Sequence, residues 1–166
     1  MVFGVTLATY TLIHVLISLA AIGSGFVVVF GFLTGRRLDG WTAIYLAATV
    51  ATSATGFGFP FVKLLPPHIF GIISAVLLVP TLYARYGAHL SGAWNWIYTL
   101  GAVVLLYLNF FVLIVQVFVK VPAFIALAPT QTELPFVAAH GAGLILFIVL
   151  GFLSVRKFHG GALNAA

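Results

Sequence analysis

Cysteine is absent from this 166-residue chain, and its only methionine is the first residue. Disulfides, thiolate-held iron–sulfur clusters, covalent c-type haem and Cys-based zinc sites are thereby excluded, and Met-rich copper chemistry goes with them. Charge is nearly as scarce: Asp39 and Glu133 are the only acids, Lys and Arg together number seven, and charged residues make up 5% of the chain. A soluble domain carries roughly a quarter. So few charges cannot cover a water-facing surface, which leaves lipid as the solvent. The bases stand singly or in pairs rather than in a run, so a nucleic-acid partner has no electrostatic footprint. No apolar stretch contains a carboxylate, which argues against proton pumps, cation-coupled transporters and cation channels, whose pathways generally carry them. A Ser–His–acid arrangement, a Gly-rich phosphate loop and a His-Glu-xx-His motif are missing too, so hydrolase and nucleotide chemistry lack their parts.

What is present is apolar sequence, 63% of the chain. Uncharged stretches near or above the length that crosses ~30 Å of hydrocarbon recur with short interruptions. They predict an all-α, polytopic transmembrane helical bundle of five spans, at approximately Thr6–Leu33, Trp41–Val62, Pro67–Ala84, Trp94–Val119 and Pro135–Val155. Residues 1–166 read as a single integral membrane domain, with the uncharged N-terminus retained as the first span rather than removed as a signal. Gly56-Phe57-Gly58-Phe59-Pro60 could break the second helix before it exits, so four spans plus a re-entrant hairpin is the alternative.

Lys and Arg in short loops mark the cytoplasmic side. With five spans, Arg36, Arg37, Arg85, Arg156 and Lys157 fall on one side and only Lys63 and Lys120 on the other. That predicts an N-terminus outside, a C-terminus in the cytoplasm, and an inner-membrane location. Trp41, Trp94 and Trp96 sit at the cytoplasmic ends of their spans, where an aromatic belt expects them. Small residues such as Ala21, Gly25, Gly31, Ala47 and Ala51 predict where backbones approach closely.

Ionisable groups at membrane depth are costly and are functional candidates by default. Counting ~1.5 Å per residue from each cytoplasmic end puts His14 ~28 Å from Leu33, His68 ~24 Å from Ala84 and His140 ~22 Å from Val155. These depths predict one histidine layer near the outer face. Asn109, Gln116 and Lys120, seven and four residues apart, form a polar stripe on one helical face that climbs to the same layer. Glu133 stands just before the fifth span. A bis-imidazole b-type haem would take His14 and His140 as axial ligands with His68 nearby; a divalent metal would take His14, His68 and His140 with Glu133 or water. Each residue also has a plain reading: His68 as an interfacial imidazole facing water, His14 and His140 as interhelical hydrogen-bond partners, Asn109 and Gln116 as helix glue, and Lys120 as a snorkelling anchor. His89 and His159 lie in polar cytoplasmic segments and read as solvated surface. The apolar half of the outer link, Phe124-Ile-Ala-Leu127, predicts a segment lying along the interface over the bundle mouth.

The run Thr55-Gly-Phe-Gly-Phe-Pro-Phe61, the span Leu106-Tyr-Leu-Asn-Phe-Phe-Val-Leu-Ile-Val-Gln116, Lys120-Val-Pro and Ala128-Pro-Thr-Gln131 resemble small multi-pass proteins of the bacterial inner membrane. The resemblance implies a compartment and supplies no activity or site residue. Size and helix count are also similar, in a general way, to small membrane b-type cytochromes. Three functional readings follow: a redox or cofactor-binding subunit holding one b-type haem or a divalent metal; a non-catalytic accessory or assembly subunit with a membrane protein partner or a second copy of itself; and a carrier or channel for a small neutral or anionic solute along Asn109 and Gln116. The sequence leaves open whether the protein is an enzyme.

Overall fold

The computed structural model describes residues 4–59 and 66–159. Its elements are helices throughout, with no strand among the described residues: α1 (Leu7–Leu33), α2 (Asp39–Phe57), α3 (Pro66–Leu82) running into a π-helical turn (Tyr83–Gly87), α4 (Trp94–Lys120), the short α5 (Pro122–Leu127) and α6 (Leu134–Lys157).

Local chemistry sets the ends of these helices. At the start of α1 the Thr6 hydroxyl accepts from the Thr9 N–H at 3.1 Å, satisfying one of the orphan donors of a first turn. At its end Gly35 takes φ +66, a conformation glycine adopts without a Cβ penalty. The Arg36 and Gly35 N–H groups then return to the Gly31 and Phe32 carbonyls at 2.8 and 3.1 Å, closing a Schellman cap. α4 stops because Pro122 forces the residue before it out of the helical region, and Val121 sits at φ −93, ψ 116. Pro80 lies inside α3 and removes a backbone donor, and the π-helical turn begins three residues later, at Tyr83.

α1, α2, α3, α4 and α6 alternate in direction. One end of the bundle is fixed by Arg37 and Arg85, whose guanidinium N–H groups both donate to Asp39 Oδ1, and by Asn95, whose amide donates to the Phe158 carbonyl at 2.8 Å. This end gathers the three Trp residues and the basic links. The opposite end is fixed by the Tyr10 hydroxyl, which donates to the Thr55 carbonyl at 2.8 Å, and by Phe118 against Phe136.

Among the described residues, four helices are long and apolar enough to cross a membrane: Leu7–Leu33, His68–Gly87, Trp94–Lys120 and Leu134–Lys157. The expected count of five is therefore not confirmed. α2 has 19 residues, ~28 Å at helical rise, but lacks the apolarity of the others. The reason is its hydroxyls, Thr42, Thr49, Thr52, Ser53 and Thr55. Thr49 and Thr55 donate to their own i−4 carbonyls, at 2.8 and 2.7 Å, and so hide polarity that a hydropathy average counts in full. The outward faces of α3 and α6 are apolar and exposed, with Val79 at 69% and Ile145 at 66%, a surface suited to contact with a bilayer. Lys63, expected as an outer base, and the proposed helix break at Pro60 lie outside the described residues.

The core fills the half of the bundle nearest the basic links. Tyr45, Leu46, Leu105 and Leu106 are 0–1% exposed, and the Tyr45 hydroxyl donates to the Ala102 carbonyl at 2.7 Å. Gly25 makes this possible. A Cβ there would stand 2.7 Å from Leu106 Cδ1 and 2.9 Å from Tyr45 Cε2, so α1 meets α2 and α4 only through glycine.

Candidate functional site

Above that packed layer α1, α2, α3 and α4 separate around a cavity of about 540 Å³, within the ~300–1,000 Å³ usual for small-molecule sites. On α1 its lining runs from Thr11 to Ile22 and on α4 from Leu108 to Lys120, with Val121 just beyond, which makes it ~16–20 Å long. Its floor is the Gly25–Tyr45–Leu106 contact. Its far end lies at the level of Thr11, Phe59 and Lys120.

The α4 wall carries the polar stripe read from the sequence. Asn109, Gln116 and Lys120 all line the cavity, because spacings of seven and four keep them on one face. The Asn109 side-chain N–H donates to the Leu105 carbonyl at 3.1 Å. Gln116 and Lys120 have no hydrogen-bond or ion-pair partner among the described residues. Among the described residues Lys120 is the one full charge in the lining, and no carboxylate faces it there.

His14 forms part of the opposite wall. Its Nδ1 is 2.8 Å from Thr55 Oγ1, and that hydroxyl already donates to the Ala51 carbonyl at 2.7 Å. With the hydroxyl proton on that carbonyl, Thr55 Oγ1 accepts from Nδ1–H and neutral His14 keeps its lone pair on Nε2; in the other tautomer the hydroxyl donates to Nδ1. The ring is steadied edge-on by Phe59 at 5.2 Å between centroids. His68, at the first turn of α3, lines the same cavity. Thr52 does so as well, and its buried Oγ1 has no hydrogen-bond partner.

His140 is placed elsewhere. It packs between Phe111 and Phe136, each 4.3 Å away between ring centroids, and its Nδ1–H donates to the Phe136 carbonyl at 3.0 Å. Its Nε2 is buried without a partner. Phe111 is about 160° around α4 from Asn109 at 100° per residue, so α4 stands between His140 and the cavity. The structure thus brings His14 and His68 to one cavity and leaves the third histidine of the expected layer behind the helix. Glu133 is also apart. It caps the link before α6, accepting from the Thr130 hydroxyl at 2.7 Å and from the Thr130 and Thr132 N–H groups at 3.1 Å. The Thr130 hydroxyl bond holds its carboxyl below the usual range, and the two backbone donors act in the same direction. Among the described residues no group of three or more His, Cys, Asp or Glu converges on one point.

Family models, curated proteins and solved structures give no match to the chain.

Sequence reasoning missed the α2 wall. Gly56 reads in the sequence as part of a helix break at Gly56–Pro60, and nothing in the identity of Thr52 or Ser53 says whether a hydroxyl faces its own carbonyl or a void. A signal was available in the periodicity, since Thr52 and Gly56 are four apart on one face and Thr55 lies three from Thr52. α5, read as a cover for the histidine layer, leans on α4 instead: Phe124 packs on Phe118 at 5.2 Å, and the rest of the helix is exposed.

Proposed function

We propose that this is an integral membrane protein that binds a small neutral or anionic organic solute in the cavity between α1, α2, α3 and α4. The observation that carries this reading is the chemistry of the lining. Side-chain donors and hydroxyls from four helices meet there, with one ammonium and no carboxylate among the described residues, and unpartnered polar groups at membrane depth are expensive unless something uses them. The filled layer below the cavity favours binding over open conduction. A through-channel would have to pass Tyr45, Leu46, Leu105 and Leu106, none of which is more than 1% exposed. The collection of Arg36, Arg37, Arg85, Arg156 and Lys157 toward one end supports placing that end in the cytoplasm and the cavity toward the outer face.

A cofactor reading has its own observation, namely that His14 and His68 share the cavity and that His14, in its Nδ1–H tautomer, presents an Nε2 lone pair held in place through Nδ1, the arrangement that suits an axial or metal ligand. On this reading one b-type haem or a divalent metal is held by His14 and His68 rather than by His14 and His140.

Native mass spectrometry of the protein released from its own membrane, with an absorption spectrum of the same sample, tests both. The binding reading expects a small adduct that is lost in the Asn109→Leu, Gln116→Leu variant. The cofactor reading expects a Soret band or stoichiometric metal lost in His14→Ala. A folded, colourless, adduct-free protein that also takes up no added solute contradicts both.

A further inference from the structure

Polar groups recur along the whole depth of the cavity, and what each has left to bond specifies a ligand class. Gly25, Tyr45 and Leu106 meet at the floor, which gives three helices a common height. At ~1.5 Å per residue, Asn109 on α4 stands ~4.5 Å above that floor, Ser18 on α1 and Thr52 on α2 both ~10.5 Å, and Gln116 ~15 Å. All four line the cavity, and Ser74, itself buried, joins them from α3. These groups lie inward of Phe59, the last described residue before 60–65, and none of them carries a charge.

Their bonding states differ. The Ser18 hydroxyl donates to the His14 carbonyl at 2.8 Å and an Asn109 side-chain N–H to the Leu105 carbonyl at 3.1 Å, so Ser18 Oγ and Asn109 Oδ1 keep lone pairs for a ligand. Thr52 Oγ1 is buried, and neither it nor the Gln116 amide has a partner among the described residues, so each still offers a donor and an acceptor. Resting on the binding reading above, we infer that the ligand is an elongated polyhydroxylated solute. A hydroxyl both donates and accepts, so a chain of them answers every tier, and its C–H faces pack on the leucines between. An ammonium only donates and a carboxylate only accepts, and a single-headed amphiphile would leave Thr52 and Asn109 against an alkyl chain.

The test uses the full-length protein in neutral-lipid nanodiscs, with empty nanodiscs subtracted, in equilibrium dialysis against radiolabelled sorbitol, a linear polyol that spans the ~6 Å between the two inner tiers. The competitors are unlabelled sorbitol, 1,6-hexanediol, which lacks the inner hydroxyls, and hexa-O-methyl sorbitol, which keeps the oxygens without their protons. Sorbitol should bind saturably at one per chain, and the other two should compete roughly tenfold or more weakly. Thr52→Val, which exchanges the hydroxyl for a methyl of similar shape, should weaken sorbitol roughly fivefold and leave hexanediol unchanged. It should unfold no earlier than wild type, because it removes a buried group that has no partner. Equal competition by hexanediol or the methyl ether, no effect of Thr52→Val on sorbitol, or a native adduct without hydroxyls overturns the polyhydroxylated ligand while leaving solute binding standing. No saturable sorbitol binding, in a protein that also carries no native adduct and takes up no other solute, overturns both.

Discussion

Replacing Gly25 by alanine tests the layer that closes the cavity. The new methyl would lie 2.7 Å from Leu106 Cδ1 and 2.9 Å from Tyr45 Cε2. The leucine tip can swing aside, but the tyrosine ring is held by its hydroxyl, which donates to the Ala102 carbonyl at 2.7 Å. α1 must therefore move away from α2 and α4, or the ring must give up its bond. Overpacking of this kind costs about 1–3 kcal/mol. Alanine also raises helix propensity by up to about 1 kcal/mol, and Gly23→Ala supplies the correction, because a Cβ at Gly23 meets nothing within 4 Å. Gly25→Ala should thus be about 1–3 kcal/mol less stable than Gly23→Ala in SDS-titration unfolding followed by circular dichroism. Adding Leu106→Ala should lose less than the sum of the single changes, since the two sites share one space. A Gly25→Ala protein as stable as Gly23→Ala would refute the close approach.

At the opposite end, Asp39 Oδ1 serves both Arg37 and Arg85, and the Arg85 side chain is only 7% exposed while that of Asp39 is 61%. Asp39→Asn should cost about 2 kcal/mol, below the figure for a fully buried pair because water screens the carboxylate, and Arg85→Met in that background should recover part of it by the same unfolding assay; a loss under about 0.5 kcal/mol would show the bridge to be idle. Glu133 has a depressed folded value, so its bonds to Thr130 and Thr132 contribute above the unfolded value near 4.5 and are lost as pH falls through the lower folded one. The Thr130 and Thr132 amide shifts should titrate together with a midpoint below 4.5, and a midpoint at or above it would contradict the cap. If α2 crosses the membrane, single cysteines introduced at Thr34 and Phe59 into this cysteine-free chain will be labelled by an impermeant maleimide from opposite sides; labelling from one side would make the segment re-entrant.

Much of the bundle was legible in the sequence because apolar length and loop charge are one-dimensional properties. The limits of α1, α4 and α6 follow from Thr6, Gly35, Pro122 and Pro135, whose backbone preferences act locally. α2 was harder. Its hydroxyls lower hydropathy, yet Thr49 and Thr55 satisfy themselves within the helix, and only the packed structure distinguishes that from true polarity. The stripe Asn109, Gln116, Lys120 emerged whole because it needs only the helical period. The histidine layer came apart because depth fixes height and not rotation: His14 and His68 turn toward the cavity, whereas His140 turns to Phe111 on the far face of α4. Rotation is set by contacts such as Gly25 with Leu106 that no single segment encodes.

The claim that the cavity is a ligand site is tested most directly by a high-resolution density map of the protein taken from its native membrane. Elongated non-protein density should run from Lys120 past Gln116 and His14 toward Leu108, within reach of Thr52 Oγ1. A map in which α1–α4 close together, with Thr52, Asn109 and Gln116 bonded to one another and no space between them, would contradict the account.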